Sequence, residues 1–375
     1  MRAGVARFRR RTASRDGRVP HSALRRVQDV AFNLADQSLV VLFLVMGMAG
    51  ALVWVAGARL VGLVDEIAGR TGIGQAFAGM LLLGGITSLP EMATATSASL
   101  AGNPLLSIND LLGASSINIL LLAIGDIFYG KGPLTHQTHR PAPLMQGVLG
   151  MMLMAAVAIA ISIGDTAIPI LGVGVFSLAL ALACWQALRV SNRFEGSHSW
   201  EAVNPPEREP DAEGARRDDS NLKLGALTAL AGLAILLGGA ALALTGDAIA
   251  EKSGLGSSIV GFALVGFCTS LPELSSVIAA LKLRRYQLAI GDIFGANLFN
   301  VQIIFIVDLV YRGDAVLNSA GVFEVTAACL SVIMTGIFVA GMLERRDRTI
   351  WRMGMDSALA LIVFAFGLVG LSTLG

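Results

Sequence analysis

Gly84-Gly85-Ile86-Thr87-Ser88-Leu89-Pro90-Glu91 and Gly266-Phe267-Cys268-Thr269-Ser270-Leu271-Pro272-Glu273 are two copies of one phrase, 182 positions apart. The same offset pairs Asp110 with Asp292, Gly113-Ala114 with Gly295-Ala296, Asn118 with Asn300 and Asp126 with Asp308. Residues 81–130 and 263–312 align without a gap at 17 identities in 50 positions. The chain is a duplicated unit. Each copy of the phrase lies inside a long apolar stretch, so each sets a carboxylate at a depth where hydrocarbon is expected.

The composition agrees. The chain has 375 residues, 54% hydrophobic and 15% charged, against about 25% charged in a soluble domain. This is the balance of an integral membrane protein, and no basic surface calls for nucleic acid as a partner. Cys184, Cys268 and Cys329 all lie in apolar stretches without metal spacing or a disulfide framework, so they are expected to be small buried side chains. With 43 glycines and three tyrosines, close helix packing is expected over a broad aromatic belt.

Residues 1–38 read as a basic, disordered arm, with nine arginines in 1–26 and a short lead-in helix at 27–38. No apolar core with a small-residue cleavage site follows the arginines, so no signal peptide is read. Apolar spans of bilayer length are predicted at 39–63, 73–100, 105–128, 143–163 and 167–189, then at 222–246, 256–282, 287–311, 317–342 and 352–374. A polar loop at 190–221, with Pro205-Pro206, separates the two sets. The organisation is a first five-helix repeat at 39–189, a linker, and a second repeat at 222–375.

Five is odd, so the second copy must enter the membrane from the opposite side. The predicted fold is an all-α membrane protein of about ten transmembrane helices as two inverted five-helix repeats, an architecture that places a site near the bilayer midplane. On one side the loops carry Arg70, Lys131, Arg140, Lys282, Arg284, Arg285, Arg345, Arg346, Arg348 and Arg352; on the other they carry Lys252 and Arg312. The rich side, with the central loop, is expected to be cytoplasmic. The arginine-rich arm opposes this orientation, and the loops outweigh it because they sum over several connections. The compact chain fits a prokaryotic inner or plasma membrane.

Thr87 and Glu91 share a helix face at i, i+4, with Ser88 adjacent. Pro90 lacks an N–H and displaces the carbonyl four residues back, that of Ile86. The expected product is a kinked helix presenting a carbonyl, two hydroxyls and a carboxylate, all oxygen ligands suited to hard cations. Thr269, Ser270, Glu273, Pro272 and the carbonyl of Cys268 repeat it. Asn118 and Asn300 follow in the next span of each copy as neutral oxygen ligands, with Asn297 one turn before Asn300. A lone serine such as Ser88, Ser115 or Ser270 reads equally well as an interhelical hydrogen bond. A carboxylate at the bilayer centre does not, because it costs several kcal/mol to insert. Asp110 and Asp292 read as helix caps and Asp126 and Asp308 as caps or interfacial groups, with a role in the ion pathway the alternative for all four, while Asp65 and Asp247 read as solvated span ends and His136 and His139 as a solvated loop.

These phrases resemble the α-repeats of the calcium/cation antiporter superfamily, most closely its prokaryotic sodium/calcium exchanger type. The resemblance rests on G-x-x-T-S-x-P-E in both copies followed by G-A-x-x-x-N, about 100 residues, extended to most of the chain by the span layout. It implies a transporter without enzymatic activity or cofactor that exchanges Ca²⁺ for Na⁺. It also implies four ion sites between spans 2, 3, 7 and 8, and first and sixth spans that slide as a gate. Carried over residue by residue, the ligands are the carbonyls of Gly84 and Gly266 with Thr87, Ser88, Glu91, Asn118, Thr269, Ser270, Glu273 and Asn300. The chain departs from the family's pattern at Ala114 and Ala296, where serine is usual, and at Asn300, often acidic. H⁺ is therefore the alternative counter-ion. A cation channel is a more remote reading, as is an intramembrane aspartyl protease built on Gly125-Asp126 and Gly291-Asp292.

Overall fold

The computed structural model describes residues 36–130, 132–138, 140–195, 220–253, 266–345 and 348–374. The arm at 1–35, most of the central loop, His139 and Lys131 lie outside the described residues.

Helix α1 runs over Leu39–Thr71, opened by Ser38, whose side chain accepts from Val41 N–H, and closed by Gly72 in the left-handed region. It is eight residues longer than its predicted span, because Arg70 pairs with Glu66 one turn back and reaches Asn221 Oδ1 at 2.7 Å. The second span is not a continuous kinked helix. It is built of α2 (Gln75–Ala78), a π turn at Gly79–Leu83, α3 (Gly84–Thr87) and α4 (Leu89–Leu100), and it bends by 44°. The break falls on Ser88, at φ −77 and ψ 5, so that Pro90 occupies the first turn of α4, the helical position that needs no proline N–H.

Helix α5 (Pro104–Tyr129) is capped by Asn103 through Leu106 N–H. Helix α6 follows at Ala142–Ile163 and α7 at Val175–Glu195. The predicted fifth span starts eight residues too early, since 164–174 fold back as a turn closed by the Ala167–Gly174 bridge. The second half repeats the first: α8 (Asn221–Ser253), α9 (Gly266–Thr269), α10 (Leu271–Lys282), α11 (Tyr286–Val310), α12 (Val322–Glu344) and α13 (Met355–Ser372). A short hairpin, β1 (Thr349–Ile350) and β2 (Met353–Gly354), precedes α13 and, with the Ala167–Gly174 bridge, departs from the all-α expectation. Ser270, at φ −82 and ψ 6, breaks the second copy as Ser88 breaks the first.

Among the described residues eight helices are long and apolar enough to cross a bilayer, and the bent pair makes a ninth. The predicted span at 256–282 is described only from Gly266. The chain folds as the helical membrane protein of inverted repeats that its sequence predicts.

The repeat holds at the level of single helix ends. Helices α1 and α8 are both 33 residues long, about 50 Å at helical rise, and both exceed a hydrocarbon core of about 30 Å. They pack on each other and on the broken spans, outside α5 and α11. Those two are the central helices, buried along most of their length. Helix α11 meets the first broken span backbone to backbone: a Cβ on Gly291 would strike the carbonyl of Ala76, and one on Gly295 that of Met80. Glycines four apart permit this approach.

The four conserved-offset aspartates separate into distinct roles. Asp126 Oδ1 accepts from Leu134 N–H at 2.8 Å, and its Oδ2 accepts from Gly354 N–H at 2.7 Å and Ser357 Oγ at 2.6 Å. Asp308 accepts from Val316 N–H at 2.8 Å, Gly174 N–H at 2.6 Å and Ser177 Oγ. Each ties the loop after its own span to the start of the other repeat's fifth span. Both oxygens of Asp126 are thus taken up by contacts that hold loops. Asp65 is not a solvated end: it is buried and pairs with Arg285. Cys329 is exposed, unlike Cys184 and Cys268. His136 sits half-buried in a short 3₁₀ turn. The side chain of Asp247 lies outside the described residues.

Candidate functional site

Breaking each motif helix at its serine brings two α-helix N-termini to the middle of the molecule, and each carries its glutamate in the first turn. Partial positive charge at a helix N-terminus favours an anionic group there. Glu91 and Glu273 are both fully buried. They lie near enough to interact electrostatically, and each has the other repeat's threonine beside it, Thr269 by Glu91 and Thr87 by Glu273. The two motifs are therefore one site.

The threonine hydroxyls each lie beside a backbone carbonyl as well as a carboxylate. Thr87 Oγ1 donates to the carbonyl of Leu83 at 2.9 Å, and Thr269 Oγ1 to that of Gly266 at 3.2 Å. A hydroxyl has one proton and two lone pairs, so each threonine shares its proton between a carbonyl of its own helix and the carboxylate beside it. The asparagines are held the same way. Asn118 donates its amide to Asn297 Oδ1 at 3.1 Å; Asn300 donates to Ser115 Oγ at 3.2 Å. Donation by the amide nitrogens leaves the carbonyl oxygens of Asn118 and Asn300 as acceptors.

Good hydrogen bonds reach none of eight buried oxygens here: both carboxylate oxygens of Glu91 and of Glu273, Ser88 Oγ, Ser270 Oγ, Asn118 Oδ1 and Asn300 Oδ1. Buried polar atoms are normally satisfied. A set that fails together, belongs to six of the predicted ligand residues and consists of oxygen alone suits a hard cation. Among the described residues no three His, Cys, Asp or Glu side chains gather as a metal cluster, so the neutral oxygens must supply much of any coordination. The sole buried basic side chain among the described residues, Arg285, is engaged with Asp65.

Gly84 and Gly266 sit where the broken spans touch the central helices. A Cβ at Gly84 would come 2.6 Å from Ala296 N, and one at Gly266 3.2 Å from Ala114 N. Their carbonyls accept from Ser88 N–H and Ser270 N–H, each at 3.1 Å. The carbonyl of Ile86, which loses its helical donor to Pro90, is approached by Ser88 N–H instead, so it is less open than the kink alone suggests. All ten predicted ligand residues are buried among α3, α4, α5, α9, α10 and α11 or at the breaks between them.

For Asp292 the sequence leaves a helix cap and a role in the ion pathway open. It is no cap, because α11 begins at Tyr286. Asp292 lies two turns inside, fully buried, where its Oδ1 is 3.3 Å from Thr87 Oγ1 and its Oδ2 accepts from Ser276 Oγ. Its repeat partner Asp110 is also inside its helix, buried, and within electrostatic reach of Glu91. The signal that could have found them is their place four residues before Ala296 and Ala114, on one helix face.

The inner membrane protein YrbG of Escherichia coli K12 is 27% identical over 249 residues, 66% of this chain and 72% of that protein. The putative antiporter CaxA of Alkalimonas amylolytica is 24% identical over 292 residues, 76% and 83% of the two chains. In fold, the chain is similar to the sodium–calcium exchanger NCX_Mj soaked with 100 mM Na⁺ and 10 mM Sr²⁺, with a TM-score of 0.63 and 20% identity, covering 90% of this chain and 100% of that one. The family model described as sodium/calcium exchanger protein matches twice, at residues 41–190 and 223–373. Two matches in register with the internal repeat, spanning most of the chain, make this protein a member of the sodium/calcium exchanger family.

Proposed function

We propose that the protein is a secondary-active antiporter that moves Ca²⁺ against Na⁺ by alternating access, with the ions held between Glu91 and Glu273. The observation that carries this reading is the set of eight unpaired buried oxygens on six predicted ligand residues. Charge bookkeeping explains why such a site exchanges its load. Two carboxylates balance one Ca²⁺ or two monovalent cations, whereas two buried charges left alone are strongly unfavourable. The helices therefore cannot cross between access states with the site empty, and leak is suppressed.

Helices α1 and α8 are the elements suited to gating. They cover the broken spans from outside and touch them at Gly57 and Gly239, the repeat partners that rest on Ser275 and Pro90. Contacts without side chains let packed helices slide. Orientation with the central loop in the cytoplasm belongs to the same proposal and rests on the excess of Lys and Arg on that side.

A second reading has one observation in its favour. Ala114 and Ala296 deprive the site of two hydroxyls, which bears on the Na⁺ positions more than on Ca²⁺, and H⁺ carried on the glutamates would complete the exchange. Radiolabelled Ca²⁺ uptake into proteoliposomes, driven first by an outward Na⁺ gradient and then by an outward H⁺ gradient, separates the two. Uptake with Na⁺ alone supports sodium/calcium exchange. Uptake with H⁺ alone moves the assignment to Ca²⁺/H⁺ antiport, and conductance far above carrier turnover without any counter-ion would point to a channel.

A further inference from the structure

We infer that Asp292 is a further cation-binding residue of the transport site, supplying from one helical turn away the oxygen that Ala296 lacks. The inference rests on the exchange reading above.

The first observation is the company Asp292 keeps. It joins Thr87 of the first motif to Ser276, three residues beyond Glu273 in the second, and it stands within electrostatic reach of Glu273. A carboxylate in that position is part of the site's charge whether or not a cation touches it directly.

The second observation is that its hydrogen bonds come from hydroxyls alone, one to each oxygen. A carboxylate offers about four lone-pair positions. Its donors are two hydroxyls, and both have a second acceptor. Thr87 Oγ1 lies nearer the carbonyl of Leu83, at 2.9 Å, than to Asp292, at 3.3 Å. Ser276 Oγ has the carbonyl of Glu273 at 2.9 Å as a second acceptor. A fully buried carboxylate sharing two hydroxyl protons with two backbone carbonyls is under-supplied with positive charge. A structural aspartate in this protein looks different: Asp126 and Asp308 each have two backbone N–H donors and a serine.

The third observation is geometric. Asp292 and Ala296 are four apart on one face of α11. A Cβ on Gly84 would meet the Asp292 carbonyl at 2.8 Å and Ala296 N at 2.6 Å, so the same motif backbone covers both positions. The repeat supplies an independent copy, with Asp110 four residues before Ala114. Loss of a hydroxyl and presence of a carboxylate one turn away occur together in both halves.

The site thus carries more carboxylates than two glutamates, which raises its demand for divalent or multiple monovalent cations. The test is Ca²⁺ uptake by the purified full chain in proteoliposomes. Asp292→Asn is expected to raise the KM for Ca²⁺ about tenfold or more while the maximal rate stays within a few-fold, since a lost charge contact of this kind is worth at least about 1.4 kcal/mol. Adding Ala296→Ser to that variant is expected to recover part of the affinity. An unchanged KM in Asp292→Asn, or a fall in maximal rate alone, would make Asp292 a structural residue and overturn the inference. Should that variant not give monodisperse protein, Asp110→Asn poses the same question in the other repeat. Glu273→Gln serves as the reference. If it still transports, the exchange site itself is wrongly placed; if it is dead while Asp292→Asn keeps its Ca²⁺ affinity, this inference alone fails.

Discussion

Arg285 closes on Asp65 at 2.9 Å, and both side chains are more than nine-tenths buried. Gln75 adds a bond to the same Asp65 oxygen at 2.7 Å. The pair fastens α1, the long outer helix, to the start of α11, the central one. Its repeat equivalent cannot form, because the partner of Arg285 at the 182-residue offset is Asn103, which is spent capping α5. One end of the molecule therefore has an ionic tie between outer and central helices that the internal symmetry does not reproduce.

Removing one member of a buried pair leaves the other charge uncompensated and costs about 3–5 kcal/mol. Arg285→Ala and Asp65→Ala are each expected to lower the melting temperature in detergent clearly. The double variant should be less unstable than the sum of the two, since it leaves no orphan charge. Strict additivity would show that the two side chains do not depend on each other.

Glu91→Gln and Glu273→Gln are expected to abolish Ca²⁺ uptake without loss of expression. Neither carboxylate makes a good hydrogen bond within the protein, so exchange for the isosteric amide removes charge and little else. Thermal melting supplies a second check. Ca²⁺ at about 100 times its dissociation constant should stabilise the wild-type chain by about 2.7 kcal/mol, and this shift should vanish in both variants. A Ca²⁺-dependent shift that survives in Glu273→Gln would place the ion elsewhere.

Gly57→Ala and Gly239→Ala test the sliding contact. A Cβ at Gly57 would overlap Ser275 Oγ and stand 3.1 Å from the Pro272 carbonyl; one at Gly239 would overlap the ring of Pro90. Both are expected to slow transport severalfold, because the outer helix must be pushed away from the motif it covers. Gly62→Ala, on the same helix with nothing within 4 Å, should transport normally. Equal rates in all three would remove the contact from the mechanism.

Asp126→Asn separates scaffold from site. Its carboxylate gathers Leu134 N–H, Gly354 N–H and Ser357, and an amide in its place turns donors toward donors. A stability loss of about 1–3 kcal/mol is expected, with the Ca²⁺ KM unchanged. A raised KM would mean that the loop it anchors shapes the ion path.

The helix count, the repeat and the ligand motif were legible because each has a one-dimensional signature. Apolar length reports a span, a fixed offset reports duplication, and Thr-Ser-x-Pro-Glu puts hydroxyls, a helix break and a carboxylate into five consecutive positions. The length of α1 was less legible, since its last turn holds the Glu66–Arg70 pair, whose charges hydropathy counts against a span. Asp65, which reads as solvated, and Asp292, for which a cap is the first reading, share one reason. In a sequence, an aspartate near a span boundary has no visible partner and defaults to solvent or a cap, and the partners here, Arg285 and Thr87, lie in the other repeat.

By itself the sequence determined that this chain is a duplicated membrane transporter with two equivalent oxygen-rich breaks, because those properties depend on composition and local order. Only the tertiary structure decided that the two breaks come together, that each glutamate sits beside the other repeat's threonine, and which of the paired aspartates hold loops and which lie beside the glutamates. Those outcomes depend on how inverted halves interlock, and burial of a charge is affordable only where that interlocking brings it a partner.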